Sequence, residues 1–152
     1  MPTPEETYKA FTEQKKRLDA SGLESIVNKL KPATINLLTR DGGEWRGGDF
    51  DTGNPSEGEL AKIRWAGKTF HSADDVEPIV LYNAKGERVW AEEFGRGSLQ
   101  MVERNGMKTT GLVYENRPIV DFFYYVNDNM VAGVMDNGEL GRFARYHYYL
   151  YK

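Results

Sequence analysis

The second half of the chain, from Lys68 onward, is a succession of short β-prone segments separated by turn signals. This pattern limits the fold more than any other feature. The turn signals stand at residues 83–86, 105–106, 115–118, 127–129 and 136–138. Short strands with turns at such intervals indicate an antiparallel meander, which either closes into a barrel or folds as a sandwich. We expect about eight or nine strands.

The clearest hairpin in the meander surrounds Asn105-Gly106, the dipeptide that most strongly favours a two-residue turn. A type I′ turn at this position places Arg104 opposite Met107 and Glu103 opposite Lys108. The second pair brings opposite charges together across the strands, which supports this register.

One strand of the meander, "IVDFFYYV", is largely apolar on both faces. Val120, Phe122, Tyr124 and Val126 alternate with residues 119, 121, 123 and 125. Because a simple barrel has one solvated face, we expect the outer face to be covered, either by the N-terminal helices or by a second subunit in a homodimer.

The N-terminal segment has a helical pattern from Pro4 to Leu30. It begins with an N-cap, a proline and two acids at residues 3–6. We expect Ser21-Gly22 to interrupt the helix and a second helix to run from Leu23 to Leu30. At 152 residues the chain is expected to form a single domain, with helices in 1–32, a strand and helical lid in 33–66, and the meander in 67–152.

A glycine-rich stretch, "DGGEWRGGDFDTGN", joins these two parts and holds Trp45 among five glycines. The segment from Gly43 to Gly47 fits the pattern Gly-X-Trp-X-Gly. Glycines permit close strand approach at a barrel end, and Trp45 could fill the barrel floor with its large ring. Ser56 and Glu59 have capping-box spacing, which predicts a helix over about 56–66. A helix after the first strand is also found in fatty-acid-binding proteins.

The chain resembles the GXWXG protein family, whose members join a GXWXG segment to a C-terminal domain of unknown function. The resemblance begins near Leu30 and rests on "GEWRGGDFDTGNP", "WAGKTFHSADDVEPIV", "LQMVERNGMKTTGLVYENRPIVDFF" and "VAGVMDNGELGRFARYHYYLYK". It implies a lipocalin-like fold and no general function. The fold class expected is therefore mainly β (α+β): N-terminal helices plus an antiparallel, lipocalin-like or fatty-acid-binding-like barrel.

Composition excludes several function classes. The net charge of −3 gives no general affinity for nucleic acid or anionic membranes, and the chain has no cysteine for a disulfide, thiol nucleophile or cysteine-based metal site. Neither a phosphate-binding glycine loop before a helix nor a nucleophile elbow is present. We therefore expect a cytoplasmic protein with no metal, no cofactor and no nucleic-acid or membrane partner.

Asp121 is the leading candidate for a catalytic residue because aspartate is unfavourable within an apolar strand. A carboxyl group facing a dry cavity can act as a general acid or base. The alternative is a structural aspartate bonded to an arginine, a tyrosine or the backbone. His71 could assist in proton transfer at the barrel mouth, or it could simply cap a turn.

Candidate ligand-binding residues are the aromatic and polar-tipped side chains of the barrel strands. We expect the ligand to contact Trp45, Tyr114, Phe123, Tyr125, His147 and Tyr149. In the last strand His147 shares a face with Tyr149 and Tyr151, whereas Tyr146, Tyr148 and Leu150 share the other, and the sequence leaves open which face is interior.

These residues leave two leading functions. The first is a protein that binds a small, mostly apolar molecule, aromatic or polyketide-like, inside the barrel. The second is a cofactor-independent isomerase, lyase or cyclase that uses Asp121. A buried ionisable pair would favour the enzyme, and a pocket of hydroxyls and hydrocarbons would favour the carrier. A third alternative is a haem-binding barrel with His147 as an axial ligand.

Overall fold

The computed structural model describes residues 1–54, 57–137 and 145–152. It contains several short helices, mostly in the first part of the chain, and a large antiparallel sheet. Two predicted features fall outside the described residues. They are the last residue of the predicted turn over 136–138 and the cap predicted at Ser56.

Two N-terminal helices precede the sheet, α1 over Pro4–Glu13 and α2 over Ala20–Val27. Thr3 caps α1 as the sequence predicts, and the structure adds a capping box in which the Glu6 side chain accepts from the Thr3 amide. The predicted break at Ser21-Gly22 is wrong, because both residues lie in the first turn of α2. Asp19 caps that helix by accepting a hydrogen bond from the Ser21 amide, so the chain leaves helical geometry before this position.

The remaining helices are short. They are α3 over Ile35–Thr39, α4 over Glu57–Lys62, and 3₁₀ turns over Arg40–Gly43 and Glu92–Phe94. Helix α4 ends earlier than the predicted residue 66. Arg64 has a positive φ of 56°, which ends the helical geometry before the next strand begins.

The described residues form ten strands, in chain order β1 Lys31–Pro32, β2 Glu44–Asp49, β3 Trp65–Ser72, β4 Asp75–Tyr82, β5 Arg88–Trp90, β6 Gly97–Arg104, β7 Met107–Tyr114, β8 Ile119–Asn127, β9 Met130–Asn137 and β10 Tyr146–Tyr151. Eight of them close an antiparallel barrel in the order β8, β7, β6, β4, β3, β2, β10, β9, because β9 also pairs with β8. The short strands β1 and β5 pair with β8 and β4 outside this cycle. The predicted fold class is confirmed.

The hairpin of β6 and β7 has the predicted register. Glu103 pairs with Lys108 and Arg104 with Met107. Asn105 and Gly106 have φ angles of 53° and 77°, the left-handed values that a type I′ turn requires at both central residues.

The barrel strands separate two apolar clusters. The interior cluster contains Trp45, Phe70, Phe123 and Tyr148, together with aliphatic residues of several strands. The outer cluster lies beneath α1 and α2 and contains Tyr8, Leu23, Val27, Phe122, Tyr124 and Val134. The Tyr8 hydroxyl donates to the Tyr148 carbonyl oxygen at 3.0 Å and fastens α1 to β10. The N-terminal helices therefore cover the apolar outer face, as one of the two sequence-based alternatives predicted.

Trp45 lies near the start of β2 and is completely buried in the interior cluster. Its indole N–H donates to the Leu38 carbonyl oxygen at 2.9 Å, which ties α3 to this end of the barrel. Gly43 has a φ of 70°, and a Cβ atom there would lie 1.9 Å from the Phe70 carbonyl oxygen. The motif therefore needs glycine at this position for both backbone conformation and close strand approach.

Among the described residues, we find no helix that is both long and apolar enough to cross a membrane.

Candidate functional site

A cavity of about 270 Å³ lies between α4 and the barrel strands. Its apolar wall is contributed by Leu60, Ile63, Ile79, Phe94, Ile119 and Met135. Tyr114 and Tyr146 add two aromatic rings, and Glu59 and Arg117 add the charged groups. The cavity therefore combines hydrocarbon walls with a small number of polar groups, the usual composition of a small-molecule site.

The elements around the cavity explain its position. Leu60 of helix α4 and Ile63, which directly follows the helix, both line the cavity, as expected for a lid between the first barrel strand and the meander. In β10, Tyr148 pairs with Asp49, the last residue of β2. Tyr146 is the first residue of β10 and therefore extends past the end of β2. Trp45 pairs with Lys68 near the opposite end of β2. The cavity and Trp45 thus occupy opposite ends of this strand.

A buried ion pair adjoins the cavity wall. Lys68 Nζ lies 2.9 Å from Asp121 Oδ2, and neither side chain is more than 1% exposed. The other two N–H groups of the ammonium donate to the Pro78 carbonyl oxygen at 2.8 Å and to the Tyr114 hydroxyl at 3.0 Å. The rings of Trp65, Tyr114 and Tyr148 also surround Lys68, with centroids 5.4–6.0 Å from Nζ. Burial lowers the pKa of Lys68, and the attraction of Asp121 opposes that change.

Tyr114 connects the ion pair to the cavity. It lines the cavity, and its hydroxyl donates to Asp121 Oδ2 at 3.2 Å. Tyr148 donates to the same oxygen at 2.9 Å. Burial and the charge of Asp121 raise the pKa of both tyrosines well above the ordinary value. Both hydroxyls therefore stay protonated at neutral pH and remain hydrogen-bond donors.

The two oxygens of Asp121 differ in their bonding. Oδ2 accepts from Lys68, Tyr114 and Tyr148, whereas Oδ1 has no hydrogen-bond partner in the described part of the chain. Asp121 pairs directly with Met135 across β8 and β9, and Ile119 precedes it by two residues on the same strand face. Met135 and Ile119 both line the cavity. Asp121 thus lies directly behind the cavity wall.

The structure brings some of the predicted site residues together. Asp121, Tyr114 and Phe123 all face the barrel interior, and Phe123 packs edge-to-face against Phe70 with centroids 5.6 Å apart. Trp45 is interior as well, but it lies at the floor and does not line the cavity.

The other predicted residues lie outside the cavity. His71, near the end of β3, contacts Glu77 through Nε2 and is half-exposed. His147 faces α2, where its Nε2 lies 2.7 Å from Glu24 Oε2. Tyr149 packs beside Phe50 on the outer face, and the Tyr125 hydroxyl donates to Asp128 at 2.9 Å. The inward face of β10 is therefore the one with Tyr146, Tyr148 and Leu150, and a haem in the barrel would not meet His147.

Sequence reasoning missed Lys68, Tyr146 and Tyr148. Lys68 stands in "WAGKTF", two residues before the buried Phe70 and thus on the same face of its strand. A lysine on an apolar strand face needs a buried counter-charge, and Asp121 offers one. That complementarity was a usable signal for pairing the two residues.

No group of three or more histidine, aspartate or glutamate side chains suited to a metal ion occurs within residues 1–54, 57–137 and 145–152.

Comparisons with known proteins agree with this architecture. Residues 25–86 match the family model described as GXWXG protein, and residues 95–152 match a domain of unknown function, DUF4334. A crystal structure of a protein from Thermomonospora curvata superposes with a TM-score of 0.89. The two chains are 29% identical, and the match covers 98% of this chain and 97% of that one. No curated protein matches the chain.

Proposed function

The chain belongs to the GXWXG protein family, in which a GXWXG domain precedes DUF4334, and from this premise we propose that it binds a compact, largely apolar or aromatic molecule beneath α4. The observation that carries this proposal is the cavity of about 270 Å³, whose largely apolar lining comes from α4, five barrel strands and adjoining turns. The volume is slightly below the roughly 300–1,000 Å³ of pockets for drug-sized ligands. The guest is therefore a molecule of one or two rings.

The lining also supports an aromatic guest. Tyr114, Tyr146 and Phe94 each present a ring to the cavity, and aromatic rings pack favourably edge-to-face or offset against one another. The charged groups Glu59 and Arg117 belong to the cavity rim, where a polar substituent of the guest can remain near water.

Naphthalene titration, followed by the probe's fluorescence, tests this function directly. We expect saturable binding to the wild type. Met135→Trp places a large ring in the cavity and should abolish binding. Met101→Trp is the matched control, because Met101 is 61% exposed on β6 and should leave binding unchanged. Native mass spectrometry of freshly purified protein should also reveal a bound molecule that Met135→Trp lacks. Equal naphthalene binding by both variants, or none by the wild type, would contradict the proposal.

A second function is favoured by the buried pair of Lys68 and Asp121 beside Tyr114. The protein would be a cofactor-independent isomerase or lyase. Asp121 would take a proton from the carbon next to a carbonyl group, and Tyr114 would turn its hydroxyl proton from Asp121 Oδ2 to the carbonyl oxygen. Return of the proton to a different carbon completes an isomerisation without any other reactant.

Exchange of the α-protons of 2-tetralone in heavy water tests this second function without knowledge of the substrate. A proton-moving enzyme should accelerate deuterium incorporation, as measured by mass spectrometry. Tyr114→Phe should remove most of the acceleration and leave the ion pair in place. Tyr146→Phe removes a hydroxyl that donates to Asp49 instead, so it should retain the rate. If deuterium is incorporated no faster than in buffer alone, the enzymatic function is contradicted and only the binding function remains.

A further inference from the structure

The unequal bonding of the Asp121 carboxylate points to a ligand contact. Oδ2 accepts three hydrogen bonds, while the buried Oδ1 accepts none from the described residues. Leaving a buried charged oxygen without a donor is costly, so a buried polar atom of this kind requires an explanation. We propose that Asp121 Oδ1 accepts a hydrogen bond from a hydroxyl group of the bound molecule, which is therefore a neutral alcohol or phenol. This inference rests on the proposed binding function.

The position of Asp121 makes the contact geometrically reasonable. Its cross-strand partner Met135 and its near neighbour Ile119 both line the cavity. Directly paired inward side chains on antiparallel strands have Cβ atoms roughly 4.5–5.5 Å apart. Methionine is unbranched and flexible, so the Met135 side chain can turn aside and admit a hydroxyl group between itself and Tyr114.

The charge balance at this site selects a neutral donor. Lys68 already neutralises Asp121 within a completely buried pair. A cationic guest would add an uncompensated positive charge to a dry interior, and an anionic guest would face the carboxylate. A hydroxyl group provides the missing donor and adds no charge.

The tyrosines beside Asp121 do not donate a hydrogen bond to Oδ1. Tyr114 and Tyr148 both donate their single hydroxyl proton to Oδ2, and the three N–H groups of Lys68 are also engaged. The guest is thus the natural source of the missing donor, with its ring against the apolar wall and its hydroxyl directed towards the ion pair.

Three probes of nearly equal shape test this inference: 2-naphthol, 2-methoxynaphthalene and naphthalene. The methyl ether keeps the oxygen but lacks the donor proton. We expect 2-naphthol to bind about tenfold or more tightly than its methyl ether, because hydrogen bonds to charged groups are stronger than neutral ones. Isothermal titration calorimetry at neutral pH measures the affinities of all three probes.

Variants identify the group responsible. The double variant Lys68→Met/Asp121→Leu removes both charges with side chains of similar heavy-atom skeleton, and it should abolish the preference for 2-naphthol while it still binds the methyl ether. Tyr146→Phe is the matched control, since it removes a hydroxyl from the cavity lining but leaves Asp121 unchanged, and it should retain the preference. Circular dichroism checks that both variants are folded.

The outcomes separate this inference from the binding function. If all three probes bind with equal affinity, the cavity is a binding site and the contact with Oδ1 is refuted. The same conclusion holds if Tyr146→Phe removes the preference while the double variant retains it. If none of the three probes binds to the wild type, the binding function itself fails, and this inference fails with it.

Discussion

Lys68 Nζ lies 2.9 Å from Asp121 Oδ2 in the interior of the barrel, where both side chains are almost completely shielded from water. The two residues lie on β3 and β8, strands that are separated by several others in the barrel order. They therefore approach each other across the interior and not along a strand ladder. A pair in this position spans the barrel and sets the arrangement of Tyr114 and Tyr148 around it.

The single variant Lys68→Met should be strongly destabilising, because it leaves the charge of Asp121 buried without a partner. Removal of one member of a buried pair costs about 3–5 kcal/mol, whereas replacement of both members by apolar groups is often neutral or stabilising. We therefore expect Lys68→Met/Asp121→Leu to be more stable than Lys68→Met alone.

Urea denaturation of the single and double variants measures this difference. Lys9→Met provides the control, since the Lys9–Glu13 pair is well exposed with a separation of 4.0 Å and should change stability by less than about 1 kcal/mol. Equal destabilisation by the single and double variants would show that the two charges are not energetically coupled.

Glu24 should make stability depend on acid pH. Burial alone would raise its pKa, but the hydrogen bond with His147 and the charges of Arg104, His147 and Arg145 outweigh burial and lower the pKa to about 2 from an unfolded value of 4.5. A lowered carboxyl pKa stabilises the folded state above the unfolded pKa. This contribution is lost as the pH falls from about 4.5 through about 2.

The Glu24→Gln variant tests this pH dependence. Its free energy of unfolding should be lower than that of the wild type at pH 6, and the difference should shrink as the pH falls towards 2. Glu13→Gln, at the exposed end of α1, should follow the wild-type curve. A constant difference between wild type and Glu24→Gln over this range would exclude titration of Glu24 as the cause.

Gly43 and Gly42 should respond differently to the same substitution. Both have positive φ angles, 70° and 84°, but a Cβ at Gly43 would lie 1.9 Å from the Phe70 carbonyl oxygen, while one at Gly42 would meet nothing within 4 Å. Each alanine variant has the left-handed strain of about 1–2 kcal/mol. Gly43→Ala adds an overpacking cost of about 1–3 kcal/mol. In thermal unfolding, the melting temperature of Gly43→Ala should therefore be clearly lower than that of Gly42→Ala. Equal melting temperatures would disprove the steric role of Gly43.

The sequence predicted the barrel because its signals are local. Asn105-Gly106 fixes a hairpin register by its own turn geometry, and alternation along "IVDFFYYV" indicates a strand with two covered faces. The start of α2 was misplaced because Ser21 and Gly22 favour turns over helix interiors, whereas the cap that Asp19 provides for the Ser21 amide starts the helix before them.

The candidate site was only partly predictable because it depends on contacts between distant segments. Asp121 was identifiable as an aspartate in an apolar strand, but its partner Lys68 is 53 positions away along the chain. The inward face of β10 could not be chosen from its alternation, since both faces carry aromatic residues. The outer face accepts His147 only because Glu24 on α2 provides a partner for it.

Trp45 should contribute more to stability than Trp90, which makes a similar hydrogen bond but lies on β5, outside the eight strands that close the barrel. Its indole N–H donates to Leu38 at 2.9 Å, and that of Trp90 donates to Gly95 at 3.0 Å, so each substitution by phenylalanine removes one comparable bond. Trp45 is completely buried among interior side chains, whereas Trp90 is half-buried on β5. Trp45→Phe therefore also leaves a void at the barrel floor and should cost about 2–4 kcal/mol. Trp90→Phe should cost about 1 kcal/mol, close to the net value of the lost hydrogen bond. Chemical denaturation of both variants gives the comparison, and equal costs would mean that Trp45 does not seal the floor.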